Sequence, residues 1–531
     1  MADNFSRNQQ VSKPAVHSSG GIVVAQHRHA AEVGAQVLAA GGDCVDAVVA
    51  TSFALGAVEP WMSGVGGGGA MVLYRAASDT VEVIDFGMRS PAGLDARDYP
   101  LSGAGASADL FPWPRVVDDR NVHGAASIAV PGTVAGMAMA HARHARMPWR
   151  ELVTPAVALA RRGVIVDWFA TDMIASGAPD LRRYPASAAA YLVDGLPPTA
   201  AWSVRQEVRL PQQRLAATLD ELAAAGAQSF YQGDLAQSIA ADVRAGGGSL
   251  SAADLAAYAA MPRAALTIPY RGGKVYATPE LTAGPTLAGV LRALEAWQPH
   301  GSAPDAAAYA AFARAIQAGY RTRLADMGDA DGRRAIGAEH LAPGCTSHFS
   351  VVDRHGNMAA VTQTLLSIFG SRYVLPSSGI LMNNGILWFD TEAGKTNSLS
   401  GGKRCLTNYT PVIAADARGA RIALGASGGR RILPAVAQLL SFTHDYAMDL
   451  QTAFHTPRID ASEGATVIAD LRLPAAVRAA LAAEFDSVEA ALQTLPMKFA
   501  CPSAVARDKG QNSGATEIFL PWAEAVAESP A

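Results

Sequence analysis

Apolar and polar positions along this chain follow different periods in different places, and the changes of period outline its elements. From Val23 onward, short apolar runs of strand type alternate with helix-like stretches. Residues 30–40 (AAEVGAQVLAA) are spaced for a helix, and Gly41-Gly42 provides its stop. Asp43 is placed to cap the following helix, VDAVVATSFALGAVEP. That helix is apolar nearly all round, so it is expected to be buried. The run Ser63-Gly64-Val65-Gly66-Gly67-Gly68-Gly69 then leads into a strand, AMVLY. It lacks a Gly-Lys-Ser/Thr ending and a strand follows it, which excludes a phosphate loop and predicts a turn packed closely beneath a sheet.

Residues 146–265 read as mostly helical, with an Asp-initiated helix in SAADLAAY, and residues 304–327 form another amphipathic helix. The polar stretch DMGDADGRRAIGAEHLAPGC, residues 326–345, predicts an exposed loop. Beyond it the chain is rich in strands and turns and dense in Thr, Ser and Asn. The organisation expected is a loose tail over 1–20, then parts 21–345 and 346–531, with the functional boundary at Cys345/Thr346.

That boundary opens a hairpin. Residues 346–353 and 357–364 are β-compatible runs flanking a D-R-H-G-N turn. A turn centred on His355 sets Thr346 opposite Thr364, where cross-strand Cβ atoms lie about 4.5–5.5 Å apart and one hydroxyl reaches the other. Taken alone, threonine pairs across strands are commonplace.

Composition narrows the classes. Of 531 residues, 50% are hydrophobic and 17% charged, which is a globular balance rather than a disordered one. A net charge of −4 offers no footprint for nucleic acid or an anionic membrane. No apolar run reaches the ~18 residues of a membrane span. The polar N-terminus has no apolar core of a secretory signal, so a cytoplasmic location is expected. Cys44, Cys345, Cys405 and Cys501 lack metal-type spacing and read as free thiols. His141 and His144, like His27 and His29, have no third ligand near in sequence, so no metal or cofactor is expected. Ser347 and His348 are adjacent in a strand and face opposite ways, which argues against a Ser–His pair.

Several blocks, in order, change the weighing of the threonine pair. TSHFSVVDRHGNMAAVTQTL, FGSRYVLPSSGILMNN, GKRCLTNYTPVI and LGASGGRRIL resemble the small subunit of the γ-glutamyltranspeptidase family. GGDCVDAVVATSFALGAVEPWMSGVGGGGAMVLY, AVPGTVAGM, FYQGDLAQSIA and LSAADLAAY resemble its large subunit. The resemblance runs from Gly20 over most of the chain. It implies the four-layer αββα sandwich of N-terminal nucleophile hydrolases and a precursor that cuts itself before a threonine, here between Cys345 and Thr346. The pieces would have 345 and 186 residues (531 − 345) and stay together as a heterodimer, or as a dimer of such pairs. The chemistry has a physical logic. A threonine hydroxyl needs a base, and a freed α-amine, with a pKa of about 7.7–8, serves as one.

The resemblance further implies that Thr364 supports the Thr346 hydroxyl and that the Gly428 and Gly429 backbone forms the oxyanion site. It matches Thr407, Asn408 and Arg97 to positions that hold a substrate carboxylate. Where the family reads a substrate α-amine with an Asn, a Gln and an Asp, this chain has Leu366, Gly385 and Trp388. An ammonium there would lose hydrogen bonds worth about 1–3 kcal/mol each. Asp390 lies two residues past the expected acid, and the segment 390–402, matched to a lid, is short. The expected substrate is therefore a small amide that carries a carboxylate and no α-amine, such as an oxamate-like compound or a glutaryl side chain, with water as the main acceptor. The alternatives are a true γ-glutamyltransferase or glutathione hydrolase, and an uncleaved binding protein, which the compressed loop before Thr346 would favour.

Overall fold

The computed structural model describes residues 10–107, 111, 113–329 and 344–529. Two seven-stranded sheets face each other. The first runs, edge to edge, through Val16–Ser18, Gln511–Thr516, Cys501–Asp508, Arg421–Ser427, Val412–Ala415, Gly273–Ala277 and Leu266–Tyr270. The second runs through Glu524–Ala527, Ile22–Ala25, Gly344–Val352, Met358–Ser367, Gly68–Arg75, Thr80–Phe86 and Met261–Ala264. Every neighbouring pair given a register within these sheets is antiparallel.

Strand alternation explains the layering. Ile22 and Val24 join Val72, Met358, Ala360, Ile413, Ala423 and Val505 in an apolar layer between the sheets. Val23, Ala25, Phe349 and Val351 point the other way, into a core with the helices Arg28–Ala39, Cys44–Val58, Thr133–His144 and Trp149–Arg162. The helices Gly284–Glu295, Ala306–Asp326 and Ile432–His444 cover the outer face of the first sheet. The result is the four-layer αββα sandwich expected from the sequence. Among the described residues no helix is long and apolar enough to cross a membrane.

Local signals mostly act as expected. Asp43 caps Cys44–Val58 in a capping box with Asp46, and that helix is buried along nearly its whole length. Gly41 ends the preceding helix region at φ 95°. A Cβ on Gly67 would lie 2.3 Å from the Thr364 carbonyl oxygen, and one on Gly69 would lie 2.1 Å from that of Thr362. The glycine run is therefore the surface on which the Met358–Ser367 strand rests.

Two expectations are corrected. Ser251, not an aspartate, caps the helix Ala252–Ala256, with Asp254 closing the capping box, because a hydroxyl at the first position reaches the free N–H. The segment before residue 20 is not all loose: Val16–Ser18 pairs with Gln511–Thr516 as an edge strand. Most of the expected loop over 326–345 lies outside the described residues.

Candidate active site

The hairpin forms in the expected register from Ser347, which pairs with Gln363, through to Val352, which pairs with Met358. Beyond that the register shifts, so that Cys345 pairs with Leu366. Thr346 therefore sits at a β-bulge, opposite both Thr364 and Leu365. The extra residue leaves Leu366 at φ 87°, a left-handed conformation that costs a non-glycine residue about 1–3 kcal/mol.

The bulge concentrates polar groups on one peptide bond. Thr346 Oγ1 lies 2.6 Å from the Cys345 carbonyl oxygen and 3.2 Å from Thr364 Oγ1. The Thr364 hydroxyl donates to the same carbonyl and accepts the Leu366 N–H at 2.8 Å. A proton directed from Thr346 to Thr364 leaves an oxygen lone pair beside a carbonyl that is already polarised by a donor. Both threonines are buried, at 5% and 1% exposure, so these contacts act in a medium of low dielectric.

Alternation sends Thr346, His348 and Ser350 toward the facing sheet. A Cβ on Gly425 would lie 2.3 Å from the His348 ring, so the Arg421–Ser427 strand passes directly beneath it. His348 bonds Thr362 at 2.8 Å and Ser350 at 3.0 Å, and burial lowers its pKa to about 3, so it is a neutral structural imidazole. Just past Gly425 the chain turns at Gly428 (φ 131°) and Gly429 (φ 63°) and meets the Gly344–Val352 strand. A Cβ on Gly428 would lie 2.9 Å from Ala500 Cα, so both the space and the backbone conformation call for glycine. Two residues past Gly429, Arg431 pins this turn: it donates to the Met497 carbonyl at 2.8 Å and pairs with Glu463 at 3.3 Å.

Ser347 faces the opposite side and joins a buried relay that the sequence did not reveal. Ser347 donates to Glu59, Ser63 donates to Ser347 at 2.9 Å, Gln363 donates to Ser63 at 2.9 Å, and Ser52 donates to Gln363 at 2.6 Å. Burial pushes Glu59 up to about 8, which leaves it largely protonated at neutral pH. The only signal in the sequence was an acid at the end of an otherwise apolar helix.

The positions expected to read substrate divide into groups. Leu366 and Trp388 are buried together in one apolar cluster with Tyr99, Ile386 and Tyr409. The Trp388 ring meets Tyr409 edge-on at 6.2 Å. Gly385 is packed so closely that a Cβ would lie 2.7 Å from Ala129 Cβ, so a glutamine there would need the backbone to move. Asn408 and Trp388 border one cleft, and the Thr407 hydroxyl donates to the Leu281 carbonyl at 3.1 Å. Asp390 does not take the role of the missing acid; Lys395 binds it at 2.7 Å. Arg97 stands apart. Its side chain is 90% exposed and clasped by Asp95, which it holds down to about 2, and the structure does not bring it to the threonine pair. His141 donates to the Met147 carbonyl, and His144 bonds Glu82, so both serve local structure.

Comparison with known proteins places the chain among its relatives. The gamma-glutamyltranspeptidase family model matches residues 30–343 and 333–520. The chain is 33% identical over 501 residues to the Acylase ACY 1 proenzyme of Pseudomonas sp. (strain SE83), covering 89% of this chain and 87% of that proenzyme. It is 31% identical over 488 residues to the glutathione hydrolase proenzyme of Escherichia coli (strain K12), covering 83% and 81%. The crystal structure of a cephalosporin acylase from Bacillus halodurans superposes with a TM-score of 0.85 at 22% identity, covering 99% of each chain, which supports the fold.

Proposed function

The chain belongs to the γ-glutamyltranspeptidase family of amide-bond hydrolases, and from that premise we propose that it cuts itself before Thr346 and then hydrolyses small amides bearing a carboxylate but no α-amine. The observation that carries the first step is the pair of threonine hydroxyls on the Cys345 carbonyl. Thr346 Oγ1 attacks that carbonyl carbon, and the C–N bond breaks as the Thr346 nitrogen takes a proton. The resulting ester is opened by water, which leaves Cys345 as a carboxylate and Thr346 with a free amine. The two fragments remain joined as one folded body, because the strands Gly344–Val352 and Ile22–Ala25 pair across the cut.

In the matured site the Thr346 amine takes the hydroxyl proton while Oγ1 attacks the substrate carbonyl. The backbone N–H groups at Gly428 and Gly429 face the developing oxyanion, an arrangement generally worth about 2.7–4 kcal/mol per donor. The amine of the substrate leaves with a proton, and water resolves the acyl-enzyme.

The substrate class rests on the buried wall of Leu366 and Trp388 and the tightly packed Gly385. The side chains of Leu366 and Trp388 offer an ammonium no acceptor. The relative at 33% identity is named an acylase, which supports acyl cleavage, whereas the glutathione hydrolase at 31% keeps a γ-glutamyl substrate as the second reading. Parallel assays of glutaryl-p-nitroanilide, oxamate and γ-glutamyl-p-nitroanilide separate them. Preference for an amine-free acyl group is expected, and strong preference for the γ-glutamyl compound would overturn the proposal.

A further inference from the structure

Arg97 is turned to solvent and paired with Asp95, which leaves open where a substrate carboxylate would be read. A cleft of about 520 Å³ is bordered by Trp388, Asn408, Tyr320, Arg323 and Arg430. Arg430 directly follows Gly429, so its backbone belongs to the turn assigned to the oxyanion while its side chain reaches into the cleft. Its guanidinium lies over the Tyr320 ring, 5.6 Å from the centroid, and its Nε is buried with no hydrogen-bond partner among the described residues.

Arg323 is 2% exposed and donates to neutral groups: the Thr282 carbonyl at 2.8 Å and the Thr407 carbonyl. Burial, with Arg430 nearby, lowers its pKa to about 10, so it is still cationic at neutral pH. Among the described residues neither arginine forms an ion pair. The acid on the cleft wall, Asp390, is already neutralised by Lys395. Two guanidinium groups without an ion-pair partner, Arg430 sharing only the longer-range field of Asp460 and Glu463, in a cleft walled by Trp388 and Tyr320, form a site that an anion would stabilise.

We propose that this cleft is the carboxylate subsite of the enzyme: Arg430 grips the terminal carboxylate of a succinyl- or glutaryl-type acyl chain whose amide carbonyl rests at Gly428–Gly429. Arg323 is a positioning residue. It fixes the Thr407 carbonyl at the rim and adds its charge to the field. The length of the acyl chain follows from the connectivity. In an oxamate-type substrate the carboxylate is bonded to the reacting carbon and must lie against the turn itself. A long side chain that starts from the turn and leads away from it meets a carboxylate several bonds further on.

The inference rests on the proposed amide hydrolysis, and the test separates the two. The ratio of kcat/KM for glutaryl-p-nitroanilide to that for valeryl-p-nitroanilide is measured in the wild type, Arg430→Gln and Arg97→Gln. The wild type is expected to favour the glutaryl compound. Arg430→Gln is expected to lower the ratio by about 10-fold or more, mainly through KM, because a charge-assisted bond to one carboxylate is lost. An unchanged ratio in Arg430→Gln, or a ratio abolished by Arg97→Gln alone, overturns the subsite while leaving the amidase reading intact. A wild type that cuts neither anilide defeats both. If Arg430→Gln does not mature, Arg430→Lys decides: its single-point cation is expected to lower the ratio by about 3- to 10-fold, and an unchanged ratio overturns the assignment.

Discussion

Thr364→Val is the most informative single perturbation, because valine keeps the shape of threonine and removes only the hydroxyl. In the precursor that hydroxyl makes three contacts: it donates to the Cys345 carbonyl, accepts the Leu366 N–H at 2.8 Å and stands 3.2 Å from Thr346 Oγ1. Loss of one preorganised donor to a reacting carbonyl costs about 10²–10³ in rate. Self-cleavage is therefore expected to slow by at least about 100-fold. The Leu366 N–H, left without its acceptor, adds a stability loss of about 1–3 kcal/mol. Its left-handed backbone makes this the place where the hairpin would relax first. A denaturing gel time course following fragments of 345 and 186 residues (531 − 345) reads the rate, and thermal unfolding reads the stability. Thr364→Ser restores the oxygen and is expected to recover cleavage to within about 10-fold. Cleavage of Thr364→Val at the wild-type rate would refute the role given to this hydroxyl.

Other outcomes follow from the same geometry. Gly428→Ala places a Cβ 2.9 Å from Ala500 Cα at φ 131°, so turnover by the matured enzyme is expected to fall by about 100-fold; unchanged turnover would remove this turn from the oxyanion site. Trp388→Asp returns an acceptor to the apolar wall and is expected to raise γ-glutamyl-p-nitroanilide hydrolysis relative to the glutaryl compound by about 10-fold, a shift that kcat/KM ratios would reveal. Glu59 ionises near pH 4.5 in the unfolded chain and near 8 when folded, so stability falls as pH rises between those values. The Tm advantage of Glu59→Gln over the wild type is expected to widen from pH 5 to pH 8, and a constant gap would show that Glu59 is not protonated in the fold.

Much of the site could be read in the sequence because it depends on local rules. The turn around His355 sets the register, and the pairing of Ser347 with Gln363 follows from it. The bulge beyond could not be read in the same way. Alternation fixes which face a residue takes but not where an extra residue enters, and Thr364, whose hydroxyl accepts the Leu366 N–H, is itself held by its bond to the Cys345 carbonyl across the hairpin. The same limit separates Arg97 from Arg430. A motif match places an arginine in a segment, but only the packed chain shows one guanidinium facing solvent with Asp95 and another facing a cleft over Tyr320. The relay from Glu59 to Ser52 joins residues far apart in the chain, so no spacing announces it.

The account stands on Thr346 being both the site of the cut and the nucleophile. Intact-mass analysis and N-terminal sequencing of the purified protein, alone and after reaction with a slow glutaryl ester, test both roles together. The result expected is a 186-residue fragment (531 − 345) beginning at Thr346 that gains one glutaryl mass on that residue. A Thr346→Ala chain that still divides at this bond, or an acyl group found on any other residue, would contradict it.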